Sequence, residues 1–481
     1  MRMAKKSVAK NSLFNVFYRG VTTVFPLITT AYVSRALLPE GVGKVTYATT
    51  VVTYFTLVAS LGIPNYGIKS IAQKADDPDE RSRTFFELFT INLISTLVCI
   101  VAYYIFVNSI PYYEGRRMLF NIVGLRLVLN ILNVDWFYQG IEEYKLISIR
   151  GVTVRIVSLI LMIIFVHQPS DYLKYALILT LGYAGNNVYN GILLRKFINL
   201  KRYDLNLQQH MGPVLVLLAS TIATEIYTML DTVMLEYFHG EASVGYYSNA
   251  VKIVRTVYNM TIAIATPFYP RISWHIRNKD FANSNKLLNE GAKVIYLIAF
   301  PASVGLITTS TLIAPFLYGK AFLPSAEVIR IIGILVVVFS TAYMFGHIIL
   351  MSVGREKDIL KATISGAVVN FVLNLILIPK LMQGGAAIAS VSAELVVTTV
   401  LVMQARHYFT VLIQKEYVLS VLSSLAVMTA VIFIEMKMLS DSAVNTMVIV
   451  MSAVVVYGVM LLITRNDIVQ KMLMRISRRF K

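Results

Sequence analysis

The sequence predicts an all-α polytopic membrane protein on three observations: 57% of its 481 residues are hydrophobic against 15% charged, mean hydropathy is +0.66, and the apolar residues arrive in long blocks. Blocks of about 20 apolar residues cross the roughly 30 Å of bilayer hydrocarbon as helix. A β-barrel would alternate apolar and polar residues over segments of about 10, and such dyads are missing. The net charge of +18 comes from Lys and Arg scattered between apolar blocks, with no zinc, helix-turn-helix or RNA-binding motif; it reads as membrane topology, and no nucleic-acid partner is expected. The single cysteine, Cys99, sits in an apolar run, which rules out an internal disulfide or a cysteine metal site. Arg2, Lys5, Lys6 and Lys10 precede the first apolar stretch without a small-residue cleavage site, so an uncleaved first span is expected.

Six spans are expected near 11–37, 43–64, 84–108, 117–139, 146–167 and 171–195. A second six follow near 212–237, 244–269, 290–317, 327–352, 358–379 and 384–405, and a final pair near 417–438 and 444–464. About fourteen transmembrane helices result. Alternate connectors carry the basic residues: Lys69, Lys74, Arg81 and Arg83, then Arg195, Lys196, Lys201 and Arg202, then Arg271, Arg277, Lys279 and Lys286. The excess of Lys and Arg marks the cytoplasmic side, so both termini are expected there, the last bearing Arg475, Arg478, Arg479 and Lys481.

Pro39-Glu40-Gly41-Val42-Gly43 before span 2 is echoed by Gly240-Glu241-Ala242-Ser243-Val244-Gly245 before span 8. Gly140 to Lys145 before span 5 is echoed by Gly354 to Asp358 before span 11, at a similar offset of about 200 residues. A parallel repeat of two six-helix bundles follows, with lobes at 1–205 and 206–410 and two further helices with a basic tail at 411–481.

With this architecture the chain resembles the multidrug/oligosaccharidyl-lipid/polysaccharide exporter superfamily, and within it the O-antigen and capsule repeat flippases called Wzx. The resemblance is carried by Tyr32-Val33-Ser34-Arg35 before Gly41-Val42-Gly43, by Leu61-Gly62-Ile63-Pro64-Asn65-Tyr66-Gly67 and by Asp135-Trp136-Phe137-Tyr138-Gln139-Gly140. Val244-Gly245-Tyr246-Tyr247-Ser248 and Pro267-Phe268-Tyr269-Pro270 add to it. It implies two lobes around a cavity that opens alternately to each side of a bacterial inner membrane. It also implies undecaprenyl-diphosphate-linked oligosaccharide as cargo and other polysaccharide-assembly proteins as neighbours. Drug-exporting relatives share the architecture, so fold alone does not fix the cargo.

Charges inside spans are expensive unless they face a cavity or a partner. Arg19 lies roughly 13 Å from the inner surface, counting 1.5 Å per residue, and Arg126 and Arg155 lie at comparable depths from opposite surfaces. Lys252 and Arg255, three apart, share a helix face. These cations suit a diphosphate, since the guanidinium fork matches phosphate oxygens and lysine adds a point charge. Arg35 joins the candidates on the resemblance; it and Arg150 lie close enough to surfaces to snorkel. Glu225, Asp231 and Glu394 are the candidate ion-coupling residues, for H+ or Na+. Glu225 falls at the depth of Arg255, and Asp231 near that of Lys252, so two readings stay open: pairs that lock spans 7 and 8 together, and pairs that exchange partners during transport. Asp135 is expected at a helix end, His347 in packing near the inner helix ends, and Pro26, Pro267, Pro301 and Pro315 at kinks. No cofactor, metal or catalytic residue is expected. A polymerase or ligase would need larger outer loops, and nucleotide-driven transport would need a phosphate-binding loop that the sequence lacks. A drug/cation antiporter is the remaining alternative.

Overall fold

Among the described residues, three helices of 50 or more residues are too long for one crossing, and each is broken at a single non-helical residue. The computed structural model describes residues 8–265, 268–410, 414–440 and 442–477, with residues 8–24 and a few further positions as backbone only. Helix α1 (Val8–Ser60) would run about 80 Å if straight. It breaks at Leu38 (φ 59°), the residue before Pro39, where the proline ring disfavours the helical region. In chain order follow α2 (Ile63–Gln73), α3 (Pro78–Ser109), α4 (Arg117–Leu129), α5 (Asp135–Gly140), α6 (Tyr144–Phe165) and α7 (Tyr172–Leu194). The second long helix, α8 (Gln208–Ala265), breaks at Gly240 (φ 75°), a conformation open to glycine without steric cost. After it come α9 (Phe268–Arg277), α10 (Phe281–Thr308), α11 (Ser310–Tyr318), α12 (Ser325–Ile332), α13 (Leu335–Ala342) and a π-helical segment, Tyr343–Leu350. The third long helix, α14 (Glu356–Ala405), breaks at Met382 (φ 51°). Last are α15 (Lys415–Met438), α16 (Ala443–Ile463) and α17 (Asp467–Ser477).

Among the described residues, 8 helices are long and apolar enough to cross a membrane, or 9 with the bent pair of α12 and the stretch Leu335–Leu350 taken as one span. The breaks at Leu38, Gly240 and Met382 fall where the sequence predicts a turn between two spans. Pro26, Pro301 and Pro315 lie inside helices as expected, and Pro267 lies outside the described residues.

The chain folds as two compact units, Met1–Gly245 and Tyr246–Lys481. In the first unit, two aromatic clusters form the core. Tyr47, Tyr103, Tyr113 and Phe120 pack α1, α3 and α4 together, with Tyr103 donating to the Phe120 carbonyl (2.7 Å). Phe85, Trp136, Phe137 and Tyr138 pack α3 and α5, with Tyr138 donating to the Asn190 carbonyl of α7 (2.7 Å). The breaks of α1 and α8 meet backbone to backbone. A Cβ on Gly43 would stand 1.8 Å from the Glu241 carbonyl oxygen, and one on Gly245 would stand 2.1 Å from that of Pro39. The sequence echo between these segments therefore recurs as a reciprocal contact. It is clamped by Arg116, whose guanidinium holds Glu236 and Glu241 at 2.5 Å each while Tyr112 donates to Glu236. Between α6 and α7, Asp171 accepts from Lys174 (2.7 Å) and from the backbone N–H groups of His167 and Gln168. Those donors hold its carboxyl down to about 2.

The second unit repeats part of this pattern. A short amphipathic helix (α9, like α2) precedes a long one (α10, like α3), and each long helix is capped by an aspartate, Asp280 and Asp77 respectively. Its core joins α10, the π-helical segment and α14 through Leu288, Phe345, Ile349 and Leu401. The pair α15 and α16 packs on α10, with Tyr417 donating to the Lys293 carbonyl (2.6 Å) and Tyr457 to that of Leu297 (2.9 Å). Lys293, 7% exposed, pairs with Asp467 (2.8 Å) and so ties α17 to α10.

Candidate functional site

Four asparagines and two arginines, Arg126 and Arg150, line a polar seam through helices α4 to α7 of the first unit. On α7, Tyr183, Asn186, Asn187 and Asn190 recur at helical spacing and so share one face. Arg126 on α4 lays its guanidinium over the Tyr183 ring, 4.9 Å from the centroid. Tyr183 donates to Asn130 Oδ1 (3.1 Å), and Asn187 caps the end of α4 by donating to the Leu129 carbonyl (2.9 Å). Further along, Asp135 Oδ1 accepts from Asn190 Nδ2 (2.7 Å) and Arg150 Nη2 (2.6 Å), while Arg150 Nε donates to Asn186 Oδ1 (3.1 Å). The buried Asn190 Oδ1 has no hydrogen-bond partner among the described residues. Amides and guanidinium groups exposed to hydrocarbon would each cost several kcal/mol, so such a seam belongs against water or a polar ligand.

The expected site residues fall in different places. Arg126 is half-buried and makes no ion pair among the described residues. Arg155, on α6, donates to the Gly151 carbonyl of its own helix (3.1 Å). Arg35 is exposed, less than one turn before the break in α1. The side chain of Arg19 lies outside the described residues. Arg150, expected to reach toward a surface, is instead buried at 7% exposure, because Asp135 supplies a counter-charge from the first turn of α5. On α8, Asp231 is buried at 4% exposure and Glu225 is half-buried.

In the second unit, Lys252 is half-buried with no ion pair among the described residues, and Arg255 is exposed. Tyr258 lies within electrostatic reach of Arg255, of buried Glu394 and of Tyr343. Tyr343 stacks on His347, which is exposed and also meets Tyr269 (centroids 5.4 Å apart). This cluster surrounds the π-helical segment, a backbone form that recurs at functional sites. No group of three or more metal-ligating side chains occurs among the described residues.

Three polar networks escaped the sequence reading: Arg116 with Glu236 and Glu241, Lys293 with Asp467, and a buried chain Glu87, His210 and Tyr66. Each joins residues far apart in the chain. The only local signal was Glu87, an acidic residue at the edge of an apolar block.

Residues 8–274 match the family described as "Polysaccharide biosynthesis protein", and residues 217–376 match the family "MatE". A curated relative from Escherichia coli (strain K12), named "Putative O-antigen transporter", is 23% identical over 421 residues, covering 85% of this chain and 99% of the relative. Among solved structures, "Lipid II flippase MurJ, inward closed conformation" superposes with a TM-score of 0.77 at 16% identity, covering 96% of this chain and 100% of that one. An inward-facing multidrug resistance MATE family transporter superposes with a TM-score of 0.63 at 14% identity, covering 82% and 97%. These superpositions establish a shared fold.

Proposed function

The chain belongs to the polysaccharide biosynthesis protein family, the Wzx-type members of the multidrug/oligosaccharidyl-lipid/polysaccharide exporter superfamily, and on that premise we propose that it flips lipid-linked oligosaccharide across the membrane. The cargo is an undecaprenyl-diphosphate-linked repeat unit, moved from the cytoplasmic to the outer leaflet of the bacterial inner membrane by alternating access. The chain acts as a transporter and not as an enzyme. Fourteen crossings arranged as six-helix lobes at 1–205 and 206–410, with 411–481 as an added pair and tail, would place both termini in the cytoplasm.

One observation carries this reading: Arg126 and Lys252 stand in apolar helices without an ion pair among the described residues. A cation without a counter-charge at membrane depth costs several kcal/mol, and a substrate diphosphate supplies what the protein omits. The guanidinium of Arg126 binds phosphate oxygens as a fork; Arg19, Arg35 and Arg155 are the other proposed substrate cations of the first unit, and Lys252 and Arg255 are those of the second. The seam amides offer donors and acceptors to sugar hydroxyls. The carboxylates Glu225, Asp231 and Glu394 exchange H+ or Na+ to couple the cycle to an ion gradient. Flipping of a fluorescent lipid-diphosphate sugar in proteoliposomes, run beside efflux of a cationic dye, tests the assignment: lipid movement is expected, and dye efflux without it retires the flippase. The "MatE" match over residues 217–376 favours a drug/cation antiporter as the second reading, and that is the outcome it predicts.

A further inference from the structure

We propose that the exposed face of α9 docks anionic phospholipid headgroups at the bilayer surface, through a tryptophan set between two arginines. The inference concerns the lipid around the protein and holds whatever the cargo is. Helix α9 has 10 residues, about 15 Å at 1.5 Å per residue, too short to cross the hydrocarbon. It joins the apolar second half of α8 to α10, a helix long and apolar enough to cross, so it lies where those helices reach one surface of the membrane. Ile272 is 1% exposed, and Phe268, Tyr269 and Ile276 pack with it on the core of the second unit. That accounts for one side of the helix. On the other, Arg271, Trp274 and Arg277 follow at a spacing of three, which sets them along one stripe. All three are exposed, Trp274 at 61%.

Core packing explains none of these side chains, and charge pairing does not either. Arg271 and Arg277 make no ion pair among the described residues. The next carboxylate along the chain, Asp280, is already committed to capping α10: it accepts from His275 Nδ1 (2.8 Å), Asn283 Nδ2 (2.9 Å) and the Asn283 backbone N–H (3.3 Å). Exposed Lys279 adds charge of the same sign. The fold does not require the stripe, because α2 takes the corresponding place in the first unit and exposes Asn65, Lys69 and Gln73, one cation and no exposed aromatic ring. An indole has an apolar body and a polar N–H, and it settles at headgroup level, where one end is dry and the other wet. An arginine on each side of it then meets phosphate oxygens, which its planar fork binds in pairs. A zwitterionic headgroup carries its own cation and an anionic one does not, so two unpaired arginines select the anionic lipid. Phe281, 56% exposed at the start of α10, adds a second apolar side chain four residues beyond Arg277.

The sequence holds two tryptophans, and Trp136 is buried at 4% exposure, so the fluorescence lost in Trp274→Phe isolates the Trp274 signal in the full chain. Proteoliposomes of phosphatidylcholine, doped with a minor share of brominated phosphatidylglycerol or with the same share of brominated phosphatidylcholine, put the quencher on one lipid class at a time. Trp274 is expected to be quenched by both, and by the anionic lipid well beyond its share. Added salt should lower that preference, because the headgroup charge is then screened. Arg271→Gln and Arg277→Gln should each lower it about fivefold, the worth of one cation at an anionic surface. Unchanged Trp136 emission shows that each variant keeps its fold, and the wild-type comparison by itself decides the lipid class. Absence of quenching by either lipid puts Trp274 in water and overturns the proposal. Equal quenching by both leaves an interfacial indole that selects no headgroup, and overturns it as well. A preference undiminished by the loss of both arginines does the same, since other groups would then hold the lipid. None of these readings depends on transport, so failure of the docking site leaves the flippase untouched, and the reverse.

Discussion

An arginine half-buried in an apolar helix needs a counter-charge or a ligand, and Arg126 has an aromatic ring instead. If its guanidinium grips the diphosphate, Arg126→Ala should slow flipping by about ten- to a hundredfold, the worth of one charged hydrogen bond, with normal membrane insertion. Arg126→Lys should recover part of that rate, because the charge survives and the fork does not. Flipping rates in proteoliposomes check both, and wild-type transport in the alanine variant removes Arg126 from the path. Arg150 makes the opposite case: its charge is spent on Asp135. Removing either partner should cost roughly 2–4 kcal/mol of stability in detergent, and removing both should cost less than the sum. Thermal unfolding of the two single variants and the double checks it, and additive losses would uncouple the pair. The contrast explains what the sequence could disclose. A cation inside an apolar block is visible in the letters, so Arg126 stood out. Whether such a cation is already paired depends on a carboxylate 15 residues away across a helix boundary, and only packing decides that.

The breaks in the long helices are legible for the same local reason, and their partners are not. Pro39 after Leu38, and Gly240, mark the ends of helical runs in the sequence. That the two breaks meet, with Gly43 on Glu241 and Gly245 on Pro39, follows only from tertiary contact. Small residues let helix backbones approach closely where lipid supplies no hydrophobic drive between helices. Gly43→Val and Gly245→Val should therefore each lower the yield of folded protein sharply, whereas Gly458→Val, with nothing within 4 Å of its Cβ position, should not. Size-exclusion profiles of the detergent-solubilised variants read the difference, and a monodisperse Gly43→Val protein would refute the close contact. The turn between α6 and α7 carries a pH dependence of definite sign. Folding depresses the Asp171 carboxyl to about 2, so the turn's stabilisation is complete above its unfolded value of about 3.9 and is lost as pH falls toward 2. Hydrogen exchange at the His167 and Gln168 amides should stay protected, relative to Asp171→Asn, down to about pH 4 and lose that advantage below it. Equal protection in the variant at pH 7 would deny the carboxylate its role.

At the scale of the whole molecule, flipping a charged headgroup through hydrocarbon needs a source of work, and the chain has no nucleotide-binding loop to supply it. Buried carboxylates are the groups that convert an ion gradient into a change of charge, because desolvation makes the bare anion costly and a proton or sodium ion relieves it. Asp231 and Glu394 are 4% and 8% exposed, one in each compact unit, whereas Arg255 is exposed. A gradient that titrates both would act on both halves of an alternating-access cycle, each ion shifting the equilibrium by its differential affinity for the two states. Proteoliposomes preloaded to impose either a proton or a sodium gradient should flip lipid-linked sugar faster under one of the two. Asp231→Asn and Glu394→Gln should each reduce that acceleration while leaving the slow exchange seen without a gradient, since neutral side chains keep the shape and lose the titration. Acceleration that persists undiminished in the double variant would move the coupling to other groups, of which the buried Glu87 and His210 chain is the next to neutralise.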